Sequence, residues 1–234
     1  MWLQEHADEL ERTLKGVAEN IEQMGFGLTW RDIAVIIIVD GYSKMNPSME
    51  DYMQKKLNIF VPEIMLPKFR GRDVTCHWFE RTVSLTKHKT MSEYFLPMQI
   101  VFCVKARNGG KLNSHLWFFR GFCELIQPHY TFVRAVDSVS DTRELRLTHL
   151  FRCTQLLDVG TVPQTKALRR CYRAFEENNQ VAGVCGEISV RARTRVHPWP
   201  VEAYAWVVVA GAPTPSVQHG GLCTSLRVQD VSCT

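Results

Sequence analysis

A chain of 234 residues with 45% hydrophobic content is long enough for one globular domain with its own core and too short for two ordinary ones. Its longest apolar runs, Ile33 to Val39 and Ala203 to Ala212, fall well short of the roughly 20 residues that a membrane span needs, so the chain as written reads as soluble or peripheral. The formal net charge of +4 rests on basic residues that are scattered rather than striped, which argues against nucleic acid as a partner. The eight cysteines follow a polar opening, Gln4-Glu5-His6-Ala7-Asp8-Glu9, unlike a secretory leader, and they read as reduced thiols. No two stand in C-x-x-C spacing and no histidine joins them in a zinc-ligand pattern.

Leu10, Leu14, Val17, Ile21 and Met24 recur at steps of four and three, which predicts a helix with one apolar stripe, ended by Gly25 and Gly27. Ile33 to Val39 is an unbroken apolar run rich in β-branched residues, as expected for a strand covered on both faces, and it stops at Asp40-Gly41. Met98 to Val104 repeats that pattern and ends at Lys105, and Leu112 to Ile126 reads as a helix. Leu156-Leu157 runs into Asp158-Val159-Gly160-Thr161, a helix follows from about Gln164 to Glu177, and Val181 to Cys185 is a short strand. Alternation of this kind predicts an α/β fold built on an open, mostly parallel sheet. In such sheets ligands gather at the carboxyl ends of the strands, where Asp40, Lys105, Asp158 and Glu187 all stand.

Two stretches break the pattern. In Val133 to Gln155, Arg134, Asp137, Asp141, Arg143, Glu144 and Arg146 interrupt any apolar face. From residue 191 to 234 periodicity fades among Arg191, Arg193, Arg195, Pro198, Pro200, Pro213 and Pro215, and little packed structure is expected. Most of the basic excess lies in these two stretches.

The run Lys105-Ala106-Arg107-Asn108-Gly109-Gly110-Lys111-Leu112-Asn113-Ser114-His115-Leu116-Trp117-Phe118-Phe119 resembles the chitin synthase pattern K-E-K-N-x-x-K-I-N-S-H-R-W-F-F. Leu156 to Thr161 resembles the family's L-L-D-x-G-T, and Ala182-Gly183-Val184-Cys185-Gly186-Glu187-Ile188 is similar to its A-G-A-C-G-E-I, in the same order. Glu5 with Glu9 to Leu14 resembles the start of the family's catalytic domain, and Val39-Asp40-Gly41 its S-D-G. Ala106 and Leu116 depart from the pattern, where an acid and an arginine are expected, and Gln4 precedes Glu5 where the family has asparagine.

The resemblance implies an inverting family-two glycosyltransferase with a Rossmann-like glycosyltransferase A-type sheet and helices on both faces. It implies transfer of N-acetylglucosamine from the uridine-diphosphate sugar (UDP-GlcNAc) to a growing β-1,4-linked chitin chain, with a divalent cation, Mg2+ or Mn2+. Full-length members sit in the plasma membrane, with this domain on the cytoplasmic side. Substrate-binding positions carried over are Glu5, Asp40, Lys105, Asp158, Gly160 and Glu187. A sugar diphosphate leaves as an anion, so a carboxylate that holds a cation is needed, and Asp158 is the candidate metal ligand. Asp40 is expected at the uridine, Lys105 at the phosphates or as a solvated surface lysine, Gly160 beside the diphosphate or as a turn glycine, and Glu187 near the acceptor sugar or bracing the pocket. For His115 and Trp117 a core role stands beside substrate contact.

The family's general base, in E-D-R, and its acceptor motif Q-R-R-R-W do not occur in this sequence, so no catalytic residue is assigned. A missing base forgoes roughly 10²- to 10⁴-fold in rate. The chain as written is therefore expected to be inactive alone, a partial donor-site domain over residues 5–190 interrupted by 133–155 and followed by a non-family tail, 191–234. The alternative is a catalytically dead UDP-sugar-binding module that partners a full enzyme. Joining Phe132 to Leu156 gives an uninterrupted family-like strand, and the intervening segment begins with valine, whose codons start GT, and ends with glutamine, which CAG encodes. Those are the bounds of an intron kept in frame, and the tail departs at Val190, again a GT codon.

Overall fold

The computed structural model describes residues 6–88, 93–132, 157–158, 162–178, 181–188, 203–209 and 224–233. Helix α1 (Ala7–Glu22) opens with the His6 side chain accepting from the Asp8 amide and with Asp8 and Glu9 in its first turn, where acids favour the helix dipole. The predicted stripe is its buried face: Leu10, Leu14 and Val17 are fully buried and Ile21 nearly so, and Met24, just past the end of the helix, is buried with them.

Strand β1 (Ile33–Val39) is the centre of the molecule. Side chains alternate along a strand, and here both faces are apolar. Val35, Ile37 and Val39 join the main cluster with α1, with the short helix α2 (Pro47–Asp51) and its wider continuation Tyr52–Lys56, and with α5 (Ala167–Glu177). Ile36 and Ile38 face a second cluster made by Phe118, Phe119, Phe122 and Cys123. Those residues belong to a helical stretch that begins as α3 (Lys111–Leu116), widens to a π-helix over Trp117–Cys123 and closes as α4 (Glu124–Ile126). The sheet thus has helices on both faces, as the sequence predicts.

The main sheet runs β4 (Cys76–Val83), β5 (Met98–Lys105), β1, β9 (Ala203–Val209), β6 (Tyr130–Phe132), with β7 (Leu157–Asp158) also on β9. It is mixed rather than mostly parallel. Among the described residues of this sheet, β1 and β5 pair in parallel, whereas β4 with β5, and β9 with β1, β6 and β7, pair antiparallel. The reason is that β4 and β9 run against the other strands, whereas β1, β5, β6 and β7 all run the same way. A hairpin β2 (Lys68–Phe69) and β3 (Arg72–Asp73) stands apart, and β8 (Val181–Ile188) pairs with β10 (Thr224–Cys233) in a separate two-stranded sheet.

The strands β9 and β10 lie in the stretch where little packed structure is expected from sequence. Poor periodicity does not stop Ala203–Val209 from pairing, because a continuous apolar run suits a strand flanked on both edges.

Asn20 ties α5 to α1. Fully buried, it donates Nδ2 to the Gly16 and Gln164 carbonyls at 2.8 and 3.0 Å, and its Oδ1 accepts the Leu168 amide at 3.1 Å. A side chain of one helix therefore serves an open amide at the start of the other.

The ladder on β9 orders β6 and β7. Tyr130, Thr131 and Phe132 face Val209, Val208 and Val207, while Leu157 and Asp158 face Ala205 and Tyr204. A single β9 position, Trp206, separates the two pieces, so on the ladder Phe132 and Leu157 stand one position short of consecutive. Deleting 133–155 should keep the fold and make the ladder consecutive. Closing an interruption of that length costs roughly 2–3 kcal/mol, so the shortened chain is expected to melt at an equal or higher temperature by circular dichroism. An unfolded product would show that the two pieces do not form one strand.

Candidate functional site

Because β1 and β5 pair in parallel with Val39 opposite Val104, the next residues, Asp40 and Lys105, stand side by side at the carboxyl ends of these strands. Lys105 Nζ donates to Asp40 Oδ1 at 2.6 Å and to Ser114 Oγ at 3.3 Å. The side chains are 3% and 0% exposed, so Lys105 is not the solvated surface lysine that the sequence left open. The loop after β5 folds back over the same carboxylate: the Gly109 amide donates to Asp40 Oδ1 at 2.9 Å, and Asn108 Nδ2 donates to the Asp40 carbonyl at 2.9 Å. This close wrap depends on Gly41, at φ +99°, where an added Cβ would stand 2.8 Å from the Asn108 amide nitrogen.

Both donors to the carboxylate take Oδ1. The other oxygen, Oδ2, is buried and receives no hydrogen bond from the described residues. Buried carboxylate oxygens are ordinarily satisfied, so among the described residues Oδ2 is left with its acceptor capacity unused.

The helix begun by α3 carries Ser114 into this cluster and packs the rest of the motif behind it. His115 is 5% exposed and Phe118 and Phe119 lie in the second apolar cluster, with Trp117 packed against its edge. For His115 and Trp117 the core role is the one observed. Burial, aided by the positive charge of Lys111, lowers the His115 pKa from 6.5 to about 4.

Asp158 ends β7 at the same end of the sheet. It pairs with Tyr204, which on its other side pairs with Ile38, one residue before Val39. β9 therefore stands between Asp158 and the strand that carries Asp40. Glu187 does not share this sheet, because β8 pairs instead with β10, with Glu187 opposite Ser232. The expectation that four strand ends meet in one crevice is corrected to this extent: Asp40 and Lys105 touch, Asp158 shares their end of the sheet, and Glu187 belongs to another sheet. Glu5 and Gly160 lie outside the described residues, as does the interrupting segment 133–155. Sequence reasoning did not single out Asn108, Gly109 or Ser114; Asn108 and Ser114 are fixed letters of the motif around Lys105, whereas Gly109 falls on a variable position and its amide leaves no signal in the sequence.

Removing one member of a buried ion pair leaves the other charge uncompensated, at a cost of about 3–5 kcal/mol. Lys105→Ala is expected to lose stability of that order in urea unfolding, well beyond the loss on replacing an exposed lysine such as Lys55. His115 gives an acid limb. Between pH 6.5 and about 4 the unfolded chain takes up a proton that the folded chain refuses. Its contribution is full above pH 6.5 and is lost as pH falls towards 4, so His115→Asn should flatten the fall in melting temperature across that window.

A family model for a chitin synthase-like glycosyltransferase domain matches residues 2–155 and 150–201. The junction of the two pieces falls at the end of the segment between β6 and β7, and the second piece runs past residue 190, where the motif pattern stops. The chain is 31% identical over 201 residues to chitin synthase 1 of Phytophthora sojae, a match that covers 80% of this chain and 19% of that protein. It is 31% identical over 193 residues to chitin synthase C of Aspergillus oryzae, covering 76% and 18%, and 31% identical over 198 residues to chitin synthase 2 of Rhizopus oligosporus, covering 79% and 20%. The chain thus spans about a fifth of the length of the curated relatives it matches. With a family match that runs from the first helix through the Asp40–Lys105 cluster and beyond α5, the chain belongs to the chitin synthase-like glycosyltransferases.

Proposed function

We propose that this chain is the donor-binding part of a chitin synthase, which takes UDP-GlcNAc for transfer to a growing β-1,4-linked chitin chain. The observation that carries the reading is the Asp40 carboxylate, fixed at the carboxyl end of β1 with Oδ2 buried and unserved by the described residues. A uracil ring offers an N–H donor of the kind that such an oxygen accepts. Lys105 and the Gly109 amide both donate to Oδ1 and so fix the orientation of the carboxylate, which sets the acceptor atom before a nucleotide arrives. The Lys105 ammonium also adds positive charge beside the strand end where an anionic diphosphate would lie.

The carboxylates at this sheet end suit a hard divalent cation, which takes oxygen ligands and commonly binds through one or two carboxylates together with phosphate oxygens. Asp158 is the residue that would hold such a cation, Mg2+ or Mn2+, and the cation would neutralise charge on the leaving nucleoside diphosphate. Glu5 and Gly160 complete the donor side in this reading, at the uridine and the diphosphate respectively, and Glu187 serves the acceptor sugar. Among the described residues no helix is long and apolar enough to cross a membrane. Attachment to the cytoplasmic face of the plasma membrane therefore belongs, in this reading, to parts of the full-length enzyme outside these residues.

Without the E-D-R and Q-R-R-R-W motifs, the chain is expected to bind the donor but not to turn it over. Calorimetric titration with UDP-GlcNAc should show saturable binding that weakens when Mn2+ is withdrawn. Asp40→Asn, checked for folding by circular dichroism, should bind on the order of tenfold to a hundredfold more weakly, the cost of losing a charged hydrogen bond. Asp158→Asn should weaken the Mn2+ dependence more than the binding of uridine alone. A folded chain that does not bind UDP-GlcNAc in the presence of Mn2+ would overturn the reading.

A further inference from the structure

Across the antiparallel ladder of β4 and β5, Cys76 stands opposite Lys105 and Trp78 opposite Cys103, so the two cysteines are diagonal neighbours. Their sulfurs are 3.0 Å apart. A disulfide needs about 2.05 Å, so the sulfurs have roughly 1 Å left to close. The two sulfurs differ in kind. Cys103 is fully buried under the helix that carries Phe118 and Phe122, whereas Cys76 opens the edge strand β4 and is only half-buried.

That asymmetry is matched by their chemistry. The hydrogen-bonding contact with Cys103, helped by the charge of Lys105 and opposed by burial, lowers the Cys76 pKa. Cys103 moves the other way, raised first by the same contact and then by burial. Of the two, it is the reachable sulfur whose ionisation is favoured and the enclosed one whose ionisation is opposed. An accessible low-pKa thiol poised beside a resolving cysteine is the arrangement that oxidants attack selectively. By contrast, Cys123 in the same apolar cluster is pushed up to about 12 by burial alone.

We infer that Cys76 and Cys103 form an oxidisable modification site, in which a peroxide converts the dithiol to an intramolecular disulfide that staples the edge strand β4 to β5. The Cys76 thiolate attacks one peroxide oxygen, the O–O bond breaks, and Cys76 becomes a sulfenic acid with loss of hydroxide. Cys103 then attacks the Cys76 sulfur, the S–O bond breaks, and a second hydroxide leaves. The two protons released by the thiols turn both hydroxides into water, so two electrons pass from sulfur to the peroxide. The bond would join β4 to β5 two residues before Lys105 on the same strand, with Cys76 the ladder partner of Lys105, so the oxidised site adjoins the Asp40–Lys105 cluster. This site stands on sulfur geometry and does not depend on what that cluster binds.

The full folded chain, treated with a small excess of hydrogen peroxide, blocked with iodoacetamide and digested without reduction, should yield one peptide pair joined through Cys76 and Cys103. Cys123 should stay reduced and become alkylated only after unfolding. In Cys103→Ala the same treatment should leave a sulfenic acid at Cys76 that dimedone traps. Recovery of Cys76 and Cys103 both alkylated, under peroxide that oxidises cysteines of the urea-unfolded chain, would overturn the inference. Joining of Cys76 to any other cysteine in the folded chain would do so as well.

Discussion

Two opposite charges shut away from water at the end of a sheet set the terms for the structure around them. The Asp40–Lys105 pair has lost its hydration, and such a pair is tolerated only if its attraction and its further hydrogen bonds are well formed. Here the further bonds come from Ser114, Asn108 and Gly109, each placed by a different device: a helix, a side-chain amide folded back, and a loop amide made reachable by Gly41. The conserved look of a motif letter thus becomes a physical duty. What the motif builds is less a row of ligand contacts than a clamp on one carboxylate.

The clamp needs a rigid anvil, and β1 supplies it. Its alternate residues belong to two different apolar clusters, one under α1, α2 and α5 and one under the helix from Lys111 to Ile126. Moving the end of β1 would disturb both clusters at once, and close-packed interiors resist that. The buried Asn20 link extends the anvil to α5, so a segment that follows the interruption in sequence is fastened to the first helix of the chain.

Local pattern was legible in the sequence and long-range pairing was not. The stripe Leu10 to Met24, the run Ile33 to Val39 and the run ending at Lys105 each announce their element, because burial on one or both faces leaves a period in the residues. The adjacency of Asp40 and Lys105 was legible too, as two polar stops on apolar runs. Strand direction was not, since an apolar run such as Ala203–Val209 reads alike in either sense, and its antiparallel entry is what turned an expected parallel sheet into a mixed one. Nor did the residues around Cys76 hint at Cys103: a diagonal across two strands leaves no spacing in the sequence. The placement of β8 with β10, and of Glu187 away from the main sheet, is of the same type.

The position of β9 acts as a spacer gauge. Neighbouring strands lie about 4.8 Å apart, so with β9 between them the line that ends in Asp158 runs two intervals from β1, about 10 Å, instead of one. No single small anion can touch both strand ends across that width. Anything that reached both strand ends would have to be elongated. A segment from far along the chain thereby sets the length of molecule that this sheet edge can measure.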